Sequence, residues 1–236
     1  MVPIFLIAGN YVREQRWVLA AWVAMAFGFA AILAGFQGAP SVEDSQLYFS
    51  QQGLYAVGLS VFLVASAIHN ERKSRRILAV LSKAVRRSQY IAGLLCGVFL
   101  CSAALCLSIA LAGSWIAVRA GLPVGRVWTA AGLLLAASFL ASTVTMFCST
   151  FSGPLGGLIF SGVLMGLPVP AARYLGAGWL QSLPVYSFSA TAVALPTQAA
   201  FEVPWPALAL AAVEALAFWM AASWIFARSD VTTALE

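Results

Sequence analysis

Charge is what this chain has least of. Only 9% of its 236 residues are charged, 62% are hydrophobic and the mean hydropathy is +0.91, far outside the range of soluble domains. Histidine is nearly absent: His69 is the only one, so H-E-x-x-H zinc chemistry is excluded, and a serine hydrolase would have only this one imidazole at the edge of an apolar run. We read His69 as an interfacial packing or hydrogen-bonding residue. Cysteine is sparse too. Cys96, Cys101 and Cys106 step by five residues, which turns each about 140° from the last on a helix, so they share no metal-binding face. With Cys148 they read as compact apolar fillers. No G-x-x-x-x-G-K-[ST] occurs, so the chain has no phosphate-cradling loop of its own. No internal repeat, low-complexity tract or separable soluble domain stands out, and residues 1–236 read as one membrane domain.

What the chain has instead is long apolar runs. A helix needs about 20 apolar residues to cross about 30 Å of hydrocarbon, and backbone groups in lipid must pair internally. Six runs qualify: Trp17 to Phe36, Gly53 to His69, Ile91 to Val118, Val127 to Thr150, Leu155 to Tyr174 and Pro206 to Ala227. The expected fold is all-α, a polytopic bundle of six transmembrane helices. The first run exceeds the core of a cleaved signal peptide and reads as a retained signal anchor.

Lys and Arg orient such a bundle, because loops rich in them stay inside. With both ends inside, the inner face collects Arg13, Arg16, Arg72, Lys73, Arg75, Arg76, Lys83, Arg86, Arg87 and Arg228. The outer face holds Arg119, Arg126 and Arg173 with acidic Glu43 and Asp44. This predicts a multi-pass protein of a prokaryotic inner (plasma) membrane with cytoplasmic termini. The same asymmetry accounts for most of the net charge of +5, so membrane lipid or a protein, not nucleic acid, is the expected partner of the basic face.

The connections differ in character. Before the first span, Ile4, Ala8, Tyr11 and Val12 fall near one helical face with Arg13, Glu14 and Arg16 mostly turned away, which predicts an N-terminal interfacial helix. Gln37 to Gln52 reads as a short polar external loop. Arg119 to Arg126 is a tight turn built on Gly121, Pro123 and Gly125, and Phe151 to Pro154 is an uncharged one. Pro168 and Pro170 interrupt the fifth run after about thirteen residues, or about 20 Å. A kink near Pro168, followed by short half-inserted helices up to Pro206, is expected on the outer face.

Asn70 to Tyr90, NERKSRRILAVLSKAVRRSQY, holds seven of the thirteen basic residues. Ile77, Leu78, Leu81, Ala84 and Val85 recur at helical spacing among the charges, so an amphipathic helix at the inner surface is expected. Lying on anionic lipid is one role for it. The run also resembles the coupling segment of ABC-2 type transporter permeases, E-R-E-x-G-T-L-E-x-L-L-x-x-P-V-S-R. Glu71 and Arg72 match the opening pair, Ile77 the leucine, Val80 and Leu81 the apolar pair, Val85 the valine and Arg87 the closing arginine, with Tyr90 and Gly93 continuing it. Arg75 and Arg76 replace Gly-Thr, Leu78 the second glutamate and Ala84 the proline.

The resemblance implies a membrane permease subunit, a homodimer or one paired with a related subunit, coupled through this segment to separate cytoplasmic ABC ATPase subunits. Export is the direction it favours. ATP and Mg would then be bound by the partner ATPase, and this chain, itself not an enzyme, would bind no cofactor. Glu71, Arg72, Ile77, Leu81, Val85, Arg86 and Arg87 form the expected ATPase interface, although Glu71 with Arg75 is also an ordinary i,i+4 pair. Glu71 and Arg75 have the E-x-x-x-R spacing of membrane CAAX-type proteases as well, but no histidine follows them to activate water. The competing reading is a non-transporting membrane scaffold that recruits a cytoplasmic partner through the basic helix.

Within the spans, Ser138, Ser142, Thr145 and Ser149 follow i, i+4, i+7 and i+11 and line one face of the fourth span. They either hold helices together or line a substrate path. Gly93 with Gly97, Gly153 with Gly157 and Gly162 with Gly166 offer small-xxx-small contact surfaces. Glu214 is the sole acid well inside a span and needs a partner, a proton or water there; a structural hydrogen bond and a path or gating role are both open to it.

Overall fold

A computed structural model of the chain describes residues 2–35, 40–73, 87–166 and 205–228. Among these there are six helices and no strand: α1 (Val2–Gly35), α2 (Val42–Lys73), α3 (Arg87–Arg119), α4 (Val124–Phe151), α5 (Pro154–Gly166) and α6 (Trp205–Arg228). Five are long and apolar enough to cross a membrane, all but α5, so this is a helical, multi-pass membrane protein. The thirteen described residues of α5 extend about 20 Å. The expected kink and the half-inserted helices up to Pro206 lie outside the described residues.

The N-terminal segment corrects one expectation. No interfacial helix is set off from the first span, because α1 runs unbroken for 34 residues, about 51 Å. The apolar face read from the sequence exists, but a helix covers it instead of lipid headgroups. Ala8 and Tyr11 are buried, and the Tyr11 hydroxyl donates to the Leu63 carbonyl of α2 at 2.8 Å. Arg13, Glu14 and Arg16 remain on the exposed side, with the Arg16 guanidinium 5.4 Å from the Trp17 ring centroid.

Among the described helices the most extensive contact joins α1 to α3, and the glycine pair explains it. A Cβ on Gly93 would stand 2.8 Å from Ile7 Cβ, and one on Gly97 would stand 2.9 Å from Tyr11 Cδ1 and 3.2 Å from the Ala8 carbonyl. Only glycine lets the two backbones approach this closely. Gly157 likewise packs against Ser149 of α4, whereas Gly153 and Gly162 face open space.

The second correction concerns Gln37 to Gln52, which is not a loop throughout. Ser41 and Asp44 form a reciprocal cap: the Ser41 N–H and hydroxyl each donate to the Asp44 carboxylate at 2.8 Å, and the Asp44 N–H donates to Ser41 Oγ at 3.1 Å. Two orphan donors of the first turn are thereby satisfied, and α2 starts at Val42, eleven residues before Gly53. From there Ser45, Tyr48, Phe49, Gln52, Ala56, Leu59, Ser60 and Leu63 form one buried stripe at i+3 and i+4 spacing. The polar residues that suggested a loop sit within this stripe or on the exposed side of the same helix.

The two tight turns are as expected. At the end of α3 the Leu122 N–H bonds the Ala117 carbonyl at 2.8 Å and the Gly121 N–H bonds that of Val118 at 3.3 Å. Gly121 sits at φ +71°, the left-handed residue that a Schellman motif requires, and Pro123 follows as the N-cap of α4. At the other end of α4, Ser152 caps Cys148 with both its N–H and its hydroxyl, and Pro154 opens α5, where its missing N–H is harmless.

α4 is the innermost helix: 72% of its most apolar window is buried, against 22% for α1 and 17% for α6. It touches α2, α3, α5 and α6, while α2 and α3 also touch each other. Cys101, Cys106 and Cys148 belong to this apolar core.

Candidate functional site

Contacts set the register of the three central helices. A Cβ on Gly113 of α3 would stand 2.7 Å from Phe49 Cζ of α2 and 3.2 Å from Val127 Cγ1 of α4, so these three residues meet at one depth. Eleven residues further along each helix toward the opposite end lie Ser60, Ser102 and Ser138. Eleven residues are about 16.5 Å and three turns plus about 20°, which places the three serines at about one depth. All three are buried. The Ser60 and Ser102 hydroxyls are 2.9 Å apart and bonded, the Ser60 hydroxyl also lies 2.8 Å from the Ala56 carbonyl, and Ser138 Oγ has no partner among the described residues.

The serine and threonine stripe of α4 is wholly buried. Ser142 donates to the Ser138 carbonyl at 2.7 Å and Thr145 to the Ala141 carbonyl at 2.8 Å, so both hydroxyls are satisfied on their own helix. Ser149 Oγ is buried without a partner among the described residues. The sequence reading singled out neither Ser60 and Ser102 nor the buried pair Tyr48 and Gln52, one turn apart on α2. The side-chain oxygen and nitrogen of Gln52 and the Tyr48 hydroxyl have no hydrogen-bond partner among the described residues. The signal that marks them is the i+3, i+4 stripe beginning at Ser45, which the polar composition of Gln37 to Gln52 obscured.

Glu214 is half-buried on α6, one turn before Phe218, whose ring lies 5.5 Å from Phe147 of α4. Beside it, α3, α4 and α6 enclose an apolar groove of about 700 Å³ that Glu214 does not line. Alanines form much of it (Ala92, Ala136, Ala211, Ala212, Ala215), and Phe99, Phe139 and Trp219 wall it. Apart from the Cys96 thiol and the Trp219 indole, its lining side chains are hydrocarbon only.

Of the coupling residues read from the sequence, Glu71 and Arg72 lie in the last turn of α2 and Arg87 opens α3. Ile77, Leu81, Val85 and Arg86 lie outside the described residues. Gly93 against Ile7, and Tyr11 against Leu63, place the start of α1, the end of α2 and the start of α3 at one end of the bundle. α4 runs antiparallel to α3, as Gly113 against Val127 and the Phe99–Phe139 ring pair show. Phe218 beside Phe147, with Leu208 sharing the groove with Ala136 and Phe139, sets α6 parallel to α4. Val2 and Arg228 therefore lie at the same end as the two helix ends that flank residues 74–86. There Arg228 stacks 3.8 Å from the Trp224 ring centroid.

Among the described residues no group of three His, Cys, Asp or Glu side chains converges to hold a metal ion. No protein-family model matches this chain, and neither does any curated protein.

Proposed function

We propose that this protein is the membrane subunit of an ATP-driven exporter of the ABC-2 permease type, working as a dimer or with a related subunit and driven by separate cytoplasmic ATPases that bind ATP and Mg. The observation that carries the reading is the basic Asn70 to Tyr90 segment, with Glu71, Arg72, Ile77, Val85 and Arg87 at the positions the coupling pattern uses. Its placement between two mutually packed helices supports the reading, since motion of a docked partner would be passed directly into α2 and α3. Ser138, Ser142, Thr145, Ser149 and Glu214 are then the candidate path or gating residues, and the inner membrane with cytoplasmic termini is the compartment that the charge asymmetry favours.

Cross-linking from the Asn70 to Tyr90 segment in native membranes, followed by mass spectrometry, tests this. Recovery of a Walker-type ATPase, with coupled ATPase turnover lowered by Arg86→Glu plus Arg87→Glu and insertion unchanged, is the expected result. Repeated failure to recover an ATPase that is present in the cell, or coupling indifferent to the double charge reversal, would favour a membrane scaffold that transports nothing.

A further inference from the structure

Two side chains of opposite charge stand at nearly one depth on α1 and α6, the least buried of the long helices. Ile7 against Gly93 and Tyr11 against Gly97 set α1 parallel to α3, so Arg13, two residues past Tyr11 on the exposed side, is level with Phe99. The Phe99 ring pairs with that of Phe139 in α4. Phe139 precedes Phe147 by eight residues, as Leu210 precedes Phe218, the ring neighbour of Phe147 on α6. Glu214 therefore sits four residues, or about 6 Å, from the level of Arg13, within the reach of an arginine side chain. That level is deep: Phe99 is eleven residues, about 16 Å, inside the span Ser88–Arg119, and Phe139 is twelve residues, about 18 Å, inside Val124–Phe151. Neither Arg13 nor Glu214 bonds a described residue, and Glu14, the acid nearest Arg13 in sequence, projects about 100° away around α1. Ionisable side chains at such depth face protein or a water-filled cavity and pair with one another.

We propose that Arg13 of one copy of this chain pairs with Glu214 of a second, and that α1 and α6 form the interface of a two-fold dimer. Leu6, Gly9, Arg13, Arg16 and Ala20 step by three and four along α1, and all are exposed. Leu210, Glu214, Ala217, Ala221 and Trp224 step by four and three along α6, and all are exposed or half-exposed. Each set is a 3.5-residue seam of the kind along which membrane helices pack at shallow crossing angles. Because α6 runs antiparallel to α1, the levels that match Arg13 to Leu210 also match Gly9 to Glu214 and Leu6 to Ala217. No atom lies within 4 Å of a Cβ added to Gly9, which leaves space for the glutamate opposite, as the small side chain of Ala217 does for Leu6. Both helices pack on α3 and make no substantial contact with each other. A two-fold axis along the membrane normal, past the exposed Leu100, Leu107 and Leu111 of α3, sets α1 of each copy against α6 of the other and preserves every depth. The inference rests on the dimer of the reading above, and not on transport or an ATPase.

Cross-linking between two differently tagged, co-expressed chains tests the contact, with Leu6→Cys in one and Ala217→Cys in the other. Cys96→Ala is added to both, since Cys96 is half-buried and the other three cysteines are buried. A short thiol–thiol reagent should join the two tags in native membranes, and should not when Leu54→Cys, exposed on α2, replaces Leu6→Cys. Charge reversal tests the pair itself. Arg13→Glu and Glu214→Arg should each raise the dimer dissociation constant in lipid by at least about tenfold, and both together should restore it, a rescue that lost packing alone would not give. A chain that is dimeric by mass in lipid but gives no cross-link, or whose dimer ignores both reversals, overturns this interface and leaves the dimer standing; a monomeric chain overturns both. A cross-linked dimer from membranes that yield no ATPase sustains the interface and counts only against the transporter.

Discussion

The glycine contact between α1 and α3 yields the sharpest stability prediction, because the same substitution has opposite signs at two helical glycines of one chain. Gly97→Ala places a methyl 2.9 Å from Tyr11 Cδ1, 3.0 Å from Tyr11 Cβ and 3.2 Å from the Ala8 carbonyl. The Cβ and the carbonyl belong to the backbone framework of α1 and cannot swing aside, so the helix itself must move. Overpacking of this kind costs about 1–3 kcal/mol, against which the better helix propensity of alanine returns about 1 kcal/mol. Gly28→Ala on α1 meets nothing within 4 Å and so gains the propensity term alone. Taking the middle of the range, the two variants should differ by about 2 kcal/mol, or roughly 4–8 °C in melting temperature. The assay is thermal unfolding of the two single variants in one detergent or nanodisc preparation, each measured against the parent. Gly93→Ala, 2.8 Å from Ile7 Cβ, should fall with Gly97→Ala. If Gly97→Ala proves as benign as Gly28→Ala, α1 does not dock on α3 along its N-terminal turns, and the unbroken first helix is wrong.

Two further outcomes follow from the same geometry. Tyr11→Phe removes the bond to the Leu63 carbonyl and leaves that buried acceptor one partner short, for a loss of about 1 kcal/mol seen as a lower melting temperature without a change in helix content. Gly121→Ala forces a Cβ into the left-handed region at φ +71° and should cost about 1–2 kcal/mol. Gly125→Ala, in open space close by in α4, serves as its control, and equal stability of the two would refute the Schellman turn.

How far the sequence could be read is visible in particular residues. The face Ile4, Ala8, Tyr11 and Val12 was legible as apolar from spacing alone, yet spacing does not say whether lipid or a helix covers it. That was decided by Gly93 and Gly97, some eighty residues away, which remove the side chains that would otherwise hold α1 off. The same limit applies to α2. Gly38, Pro40, Glu43 and Asp44 made Gln37 to Gln52 look like a polar loop, whereas the Ser41–Asp44 cap starts α2 at Val42 and the buried stripe from Ser45 onward belongs to that helix. The hydroxyls of α4 share a face, as the sequence indicated, but two of them bond their own helix and so do not tie helices together.

By itself the sequence determined the membrane class, the apolar runs behind all five long helices and the tight turns at Gly121 and Pro154. These are local consequences: hydrocarbon thickness sets helix length, and glycine and proline set the backbone at particular positions. Only the tertiary structure decided that α1 is unbroken, that Tyr48 and Gln52 are interior, and that Ser60 bonds Ser102 across α2 and α3. Each of these depends on register between helices, which close approach at glycine determines and which no periodicity within a single helix encodes.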